Sequence, residues 1–323
     1  MALPVIEIQG LAKSYRGVPA VHDVSLTVQE GEIFALLGPN GAGKTTTVEI
    51  CAGLRRADSG VVRVLGADPS SGDPTWKDQF GIVTQQSTDL QDLTVAEAVR
   101  SIAWCYPAPR PVDEVIASVG LTDKRDARCV KLSGGQRRRL DVALGLVGNP
   151  GLLLLDEPTT GFDPEARRAF WELIRSLSKQ GMTILLTTHY LDEAEQLADR
   201  VGVIAAGRIL EINTPAAIGG RDASETRVRW IEGGRSRECL TQRPTETIGE
   251  LSLRFCGEVP GLLVERPSLE DVYLRMISAV DVSALDASVV DASGVDASGV
   301  DASGVDASGV DASVEDASIR KAP

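Results

Sequence analysis

The chain has 323 residues, of which 43% are hydrophobic, 24% charged and 4% aromatic, with a formal net charge of −13. The apolar content excludes a wholly disordered chain, and the acidic balance argues against a general nucleic-acid binder. No run reaches the roughly 18–20 apolar residues that cross a bilayer, and the uncharged stretch Val142 to Leu155 is broken by Asn149 and Pro150.

The opening residues, MALPVIEIQG, carry neither a basic segment nor a long apolar core, so no secretory leader is expected. Five scattered cysteines without CxxC spacing read as reduced thiols, and two histidines leave little for a zinc cluster. Along residues 1–218, apolar β-rich runs alternate with helical stretches, which predicts a buried, mostly parallel sheet with helices on its faces. Tyr15, before the first of these runs, reads by itself as a partly buried anchor.

The strand expected over Ile33–Leu37 leads into Gly38-Pro39-Asn40-Gly41-Ala42-Gly43-Lys44-Thr45, the pattern GxxxxGKT, with Thr46 next. Glycines let this backbone curl so that successive N–H groups converge on phosphate oxygens. The helix expected over Thr45–Leu54 adds the positive end of its dipole. Lys44 supplies a point charge to the outer phosphates, and the Thr45 hydroxyl reaches Mg²⁺. Nucleotide binding follows from the motif and from its place between a strand and a helix.

A strand over Gly81–Val83 then precedes Thr84-Gln85-Gln86, and the segment from Leu93 to Leu132 carries Pro107, Pro109 and Pro111. Leu152–Leu155 is a further buried-strand run, and it ends in Asp156 and Glu157. Beside a phosphate loop, Asp156 is the expected water-mediated Mg²⁺ holder, and Glu157 is placed to polarise an attacking water. A helix is expected over Pro164–Lys179, a strand over Thr183–Thr187, a helix over Leu191–Ala198 and a strand over Val201–Ala205.

Leu132-Ser133-Gly134-Gly135-Gln136 ends 20 residues before Asp156, and on this string the chain resembles the nucleotide-binding subunit of ABC transporters. The matching motifs span residues 1–218 in the family's order. The resemblance implies an α/β P-loop NTPase domain over 1–218 with a mainly parallel sheet and a helical subdomain at about 86–140. By that resemblance Tyr15 stacks on adenine, and Gln85 contacts Mg²⁺ and the γ-phosphate side. Gln86 competes for the second role, and Gln85 is preferred because it directly follows the strand. Asp163 belongs to the D-loop, with Phe162 where Leu is usual, and His189 is the switch histidine.

Ser133 and its glycines form a second phosphate cradle, which in this family faces the ATP held by another subunit. One phosphate loop and one signature per chain therefore imply a homodimer with two ATP sites. Gln136–Ala143 and Asp156–Gly161 look like the ABC-2 type drug-resistance exporters, similar to daunorubicin-resistance ATPases. That likeness implies a separate polytopic permease and a cytoplasmic place on the inner face of the membrane, reached through the permease. It also implies ATP and Mg²⁺ as cofactors, and no nucleic-acid partner. A soluble ABC ATPase that moves no solute, and an importer subunit, are the alternatives. The run Arg137-Arg138-Arg139 reads as a solvated or phosphate-facing surface.

Residues 219–279 read as a small α+β domain, with strands at Arg227–Ile231, Leu251–Phe255 and Leu262–Glu265 and a helix from about Ser268. Thr214–Arg221 is the expected joint. From Val280 the chain repeats every five residues, VDASG and its variants, with nine acidic and two basic residues over 280–323. Small Val and Ala members favour a solvated acidic tail, and a short pentapeptide-repeat β-helix is the alternative.

Overall fold

The computed structural model describes residues 4–85, 90–221 and 225–279. The repeat over 280–323 and the competing Gln86 lie outside the described residues. The chain opens with β1 (Ile6–Tyr15), β2 (Val18–Val28), β3 (Ile33–Leu37), α1 (Lys44–Cys51) and β4 (Ser59–Val64). A short α2 (Pro74–Lys77) leads to β5 (Phe80–Val83), α3 (Val95–Ala103), α4 (Val112–Ser118) and α5 (Gly134–Leu146). Then come β6 (Leu152–Asp156), α6 (Pro164–Lys179), β7 (Thr183–Thr188), α7 (Leu191–Leu197), β8 (Arg200–Ala205) and β9 (Arg208–Asn213). The last part holds β10 (Thr226–Glu232), β11 (Arg235–Thr241), α8 (Pro244–Arg254), β12 (Leu263–Glu265) and a helix over 269–279, α9.

The central sheet has the order β5-β6-β7-β3-β8-β9; its first five strands are parallel, and β9 runs antiparallel to β8. Buried on both faces, β3 and β6 consist of apolar residues almost throughout. The two-residue period then sorts them. Phe34, Leu36, Leu152 and Leu154 face a core shared with α1 and the antiparallel sheet β2-β1-β4. Ala35, Leu37, Leu153 and Leu155 face a second core, filled from α3 to α7. Parallel strands share one carboxyl edge, where ligands of open α/β sheets bind. The phosphate loop after β3, Gln85 after β5, Glu157 after β6 and His189 after β7 all leave from that edge.

The last part departs from expectation at one element. Leu251–Phe255 is not a strand; it lies largely in α8, which Pro244 opens at its first turn. Leu251 is buried against Val228 and Val259 while Leu253, two residues on, is 82% exposed, a contrast that two-residue alternation would not give. The sheet is completed instead by the polar strand β11, which pairs with β10. Leu269 and Val272 of α9 pack into the larger core with Ile218, so this helix closes back on the α/β part.

Candidate functional site

Backbone close approach dictates the glycines of the phosphate loop. A Cβ on Gly38 would stand 2.2 Å from the Ile204 carbonyl oxygen, and one on Gly43 would stand 2.6 Å from that of Ala20. Gly43 also has φ 101°, in the left-handed region. Pro39, Asn40, Gly41 and Ala42 form the turn between them, with Gly41 at φ 81°. Lys44 opens α1 and is 4% exposed; its Nζ donates to the carbonyls of Gly38 (2.9 Å) and Pro39 (3.0 Å). The same Nζ lies 3.1 Å from Glu157 Oε1.

Glu157 stands at the centre of the cluster. Its other oxygen, Oε2, is 3.3 Å from His189 Nδ1, an approach that lacks hydrogen-bond geometry. Thr160 Oγ1 donates to the same oxygen at 3.3 Å. The Glu157 backbone has φ 44°, unusual for a side-chain-bearing residue, and its N–H donates to Thr187 Oγ1 at 2.9 Å. Burial pushes this carboxyl up, but Lys44 and His189 outweigh it and hold it below the ordinary glutamate range.

Asp156, at the end of β6, is buried, and its Oδ1 accepts from Thr187 Oγ1 (2.6 Å) and from Thr45 Oγ1 (3.2 Å). A hydroxyl and a carboxylate side by side are hard oxygen donors that suit Mg²⁺, which keeps most of its waters and takes substrate phosphate oxygens. No group of three His, Cys, Asp or Glu side chains arranged to hold a metal occurs among the described residues. The donor set therefore fits a phosphate-borne Mg²⁺ better than a metal caged by protein alone. Thr46 is half-buried behind Thr45, and Gln85 stands exposed beyond β5.

Other expected residues are held elsewhere. Tyr15 is 37% exposed, with Lys13 Nζ 5.8 Å and Arg55 Cζ 5.4 Å from its ring centroid. Ser133 caps α5: its Oγ accepts from the Gln136 N–H at 3.3 Å, and its own N–H donates to Gln136 Oε1 at 3.1 Å. Leu132 is half-buried against the helical core, while Ser133 and Gly134 are exposed and Gly135 packs near Ala166. Among the described residues, no hydrogen bond of the Ser133 side chain reaches the phosphate loop; its Oγ serves the Gln136 N–H. Asp163 caps α6, accepting from the Ala166 N–H at 2.8 Å.

Two residues escape the sequence reading. Arg138 is not a solvated surface residue; it is 6% exposed. Its guanidinium donates to three carbonyls, those of Pro158 (3.0 Å), Thr84 (2.6 Å) and Asp156 (2.9 Å). It thereby ties the signature helix α5 to the ends of β5 and β6, and only its place in a basic run hid it. Glu193, on the first turn of α7, is fully buried. An acidic residue on an expected helix carries no sign of burial in the sequence.

A family model described as ABC transporter matches residues 21–160. A daunorubicin/doxorubicin resistance ATP-binding protein of Streptomyces peucetius is 43% identical over 215 residues, covering 65% of this chain and 65% of that protein. A Nod factor export ATP-binding protein I of Rhizobium sp. (strain N33) is 38% identical over 298 residues, covering 85% of this chain and 98% of its own length. Among solved structures, an ATP-binding subunit of an ABC transporter superposes with a TM-score of 0.59 at 27% identity, covering 66% of this chain and 91% of that one.

Proposed function

This chain belongs to the ABC transporter family, and on that premise we propose that it is the ATP-binding and ATP-hydrolysing subunit of an ABC-2 type export system. The convergence of Lys44, Glu157 and His189 at the carboxyl edge of the sheet carries the reading. In it, the N–H groups of Gly38–Thr46 cradle the phosphates and Lys44 exchanges its loop carbonyls for phosphate oxygens. Tyr15 offers its open ring to the adenine. Thr45 and Asp156, with Gln85, would hold Mg²⁺, which when bound would stabilise negative charge on the phosphates. Glu157, kept ionised, orients and deprotonates the attacking water, while His189 holds the γ-phosphate side.

The signature residues Leu132 to Gln136 serve the site of a second copy, since Ser133 is exposed and turned to its own helix cap. Two copies with ATP between them form the closed state; loss of the γ-phosphate removes the interaction that favours closure. Asp163 lies at the seam between the copies. The domains of this subunit are the nucleotide-binding part, 1–218, and a small accessory part, 219–279. A separate polytopic permease is the membrane partner. A groove of about 310 Å³ beside Thr84, floored by Phe80, Ile82, Ile102 and Leu144, is where we place its contact. Among the described residues no helix is long and apolar enough to cross a membrane; in this scheme the permease itself brings the subunit to the inner face. Efflux of a drug, lipid or polysaccharide-like molecule is the work powered.

Substituting Glu157→Gln tests the core of the reading. The variant should bind MgATP, lose most turnover, about a hundredfold or more for removal of a general base, and accumulate as a dimer in sedimentation velocity. Undiminished turnover removes Glu157 from the base role, and a variant that stays monomeric with bound MgATP ends the two-copy scheme.

A further inference from the structure

The buried carboxyl of Glu193 has no part in the scheme above, yet it links three segments that lead away from residues that do. Its Oε1 accepts from Thr159 Oγ1 at 2.9 Å and from Trp171 Nε1 at 3.2 Å. Thr159 lies two residues beyond Glu157 and is itself fully buried. Trp171 lies on α6, the helix that Asp163 caps. Glu193 sits on the first turn of α7, which starts two residues after His189. One side chain thus joins the segment leaving Glu157, the helix leaving Asp163 and the helix leaving His189.

We propose that Glu193 is a positioning residue that holds Glu157 and His189 in register, by tying the turn after β6 to the first turn of α7 through Thr159 and Trp171. Its chemistry favours the protonated acid. Both hydrogen bonds fall on Oε1, and Oε2 finds no hydrogen-bond partner among the described residues. A bare carboxylate oxygen in that position would carry the full cost of desolvation, whereas an acid O–H leaves a neutral group. Burial pushes the carboxyl up, against the opposing pull of Thr188, whose hydroxyl acts on it without hydrogen-bond geometry, and of Thr159, Trp171 and Arg167. Arg167 does not bond to it; its guanidinium stacks 4.3 Å from the Tyr190 ring centroid.

The inference rests on the ATPase reading, and the test separates the two. Wild-type turnover is measured first, and its absence overturns the ATPase reading before any substitution is made. Glu193→Gln keeps the acceptor and supplies a neutral donor, so it should retain kcat and KM within about twofold. Glu193→Met removes the acceptor and should lower kcat by about ten- to a hundredfold, normalised to folded protein, while KM for ATP moves less than about threefold. Where Glu193→Met does not fold, Thr159→Val removes one tether only and should show the same split. Infrared difference spectra of wild type against Glu193→Gln should lose the C=O stretch of one protonated carboxyl, whatever the activity. Wild-type kcat in folded Glu193→Met or Thr159→Val overturns the proposal, as does a kcat loss in Glu193→Gln equal to that in Glu193→Met. Absence of the infrared difference overturns the neutral-acid account on which the rescue rests.

Discussion

At Gly43 the space for a side chain is closed twice, by a left-handed backbone and by the Ala20 carbonyl oxygen 2.6 Å from where a Cβ would sit. Gly43→Ala should therefore destabilise the chain by about 1–3 kcal/mol and abolish nucleotide binding, as read by denaturant unfolding and by equilibrium titration with ATP. An unaltered affinity would mean that the loop relaxes without losing its curl. Gly41 differs, since open space surrounds it and only its φ of 81° resists a side chain. The sequence pattern names all three glycines, but which of them is fixed by contact and which by dihedral angle depends on β2 and β8, far away in the chain. Arg138 is the opposite case. Nothing separates it in sequence from Arg137 and Arg139, and only the arrival of three carbonyls from β5, β6 and the following turn gives it a distinct role.

Whole elements follow the same division. The parallel strands were legible because burial on both faces demands unbroken apolar runs, as in Leu152–Leu155. Pro164–Lys179 is legible from its caps and its periodic apolar face, and the structure keeps those bounds. The antiparallel sheet β2-β1-β4 was not, because register shifts between Ile8 and Leu11, and again to Lys13, break the alternation a reader would seek. In the helical subdomain, Thr94 and Glu97 form a capping box that starts α3, and Pro111 precedes α4 at its N-terminal boundary without a capping hydrogen bond. Thr94→Ala should cost about 1 kcal/mol of stability, seen as a lower unfolding midpoint with the ATP affinity unchanged. A loss of affinity together with stability would show that α3 reaches the nucleotide. The α8 misreading has a plain cause: a short run with Leu251 and Leu253 fits a strand until Pro244 and the buried Leu251 define the helix.

For the whole molecule the export reading requires a membrane partner, and its check is physical isolation. The chain, purified in mild detergent from cells that hold its natural neighbours, should co-elute with a polytopic membrane protein; association with ribosomes or DNA instead would end the export assignment. The residues proposed for catalysis leave from the carboxyl edge of one sheet, whereas Ser133 caps a separate helix, α5, as the two-copy scheme requires of a residue that serves a second copy. Arg138 gives this layout a further consequence. Its guanidinium holds the carbonyl of Thr84, which lines the groove, and the carbonyl of Asp156, whose side chain accepts from Thr45 of the phosphate-loop helix. Under the proposed function, a force that spreads the rim of that groove is passed through this one guanidinium to the backbone of Asp156. By the closed thermodynamic cycle that links two equilibria, whatever factor an occupant of the rim imposes on nucleotide affinity, the nucleotide imposes in return on the affinity of that occupant.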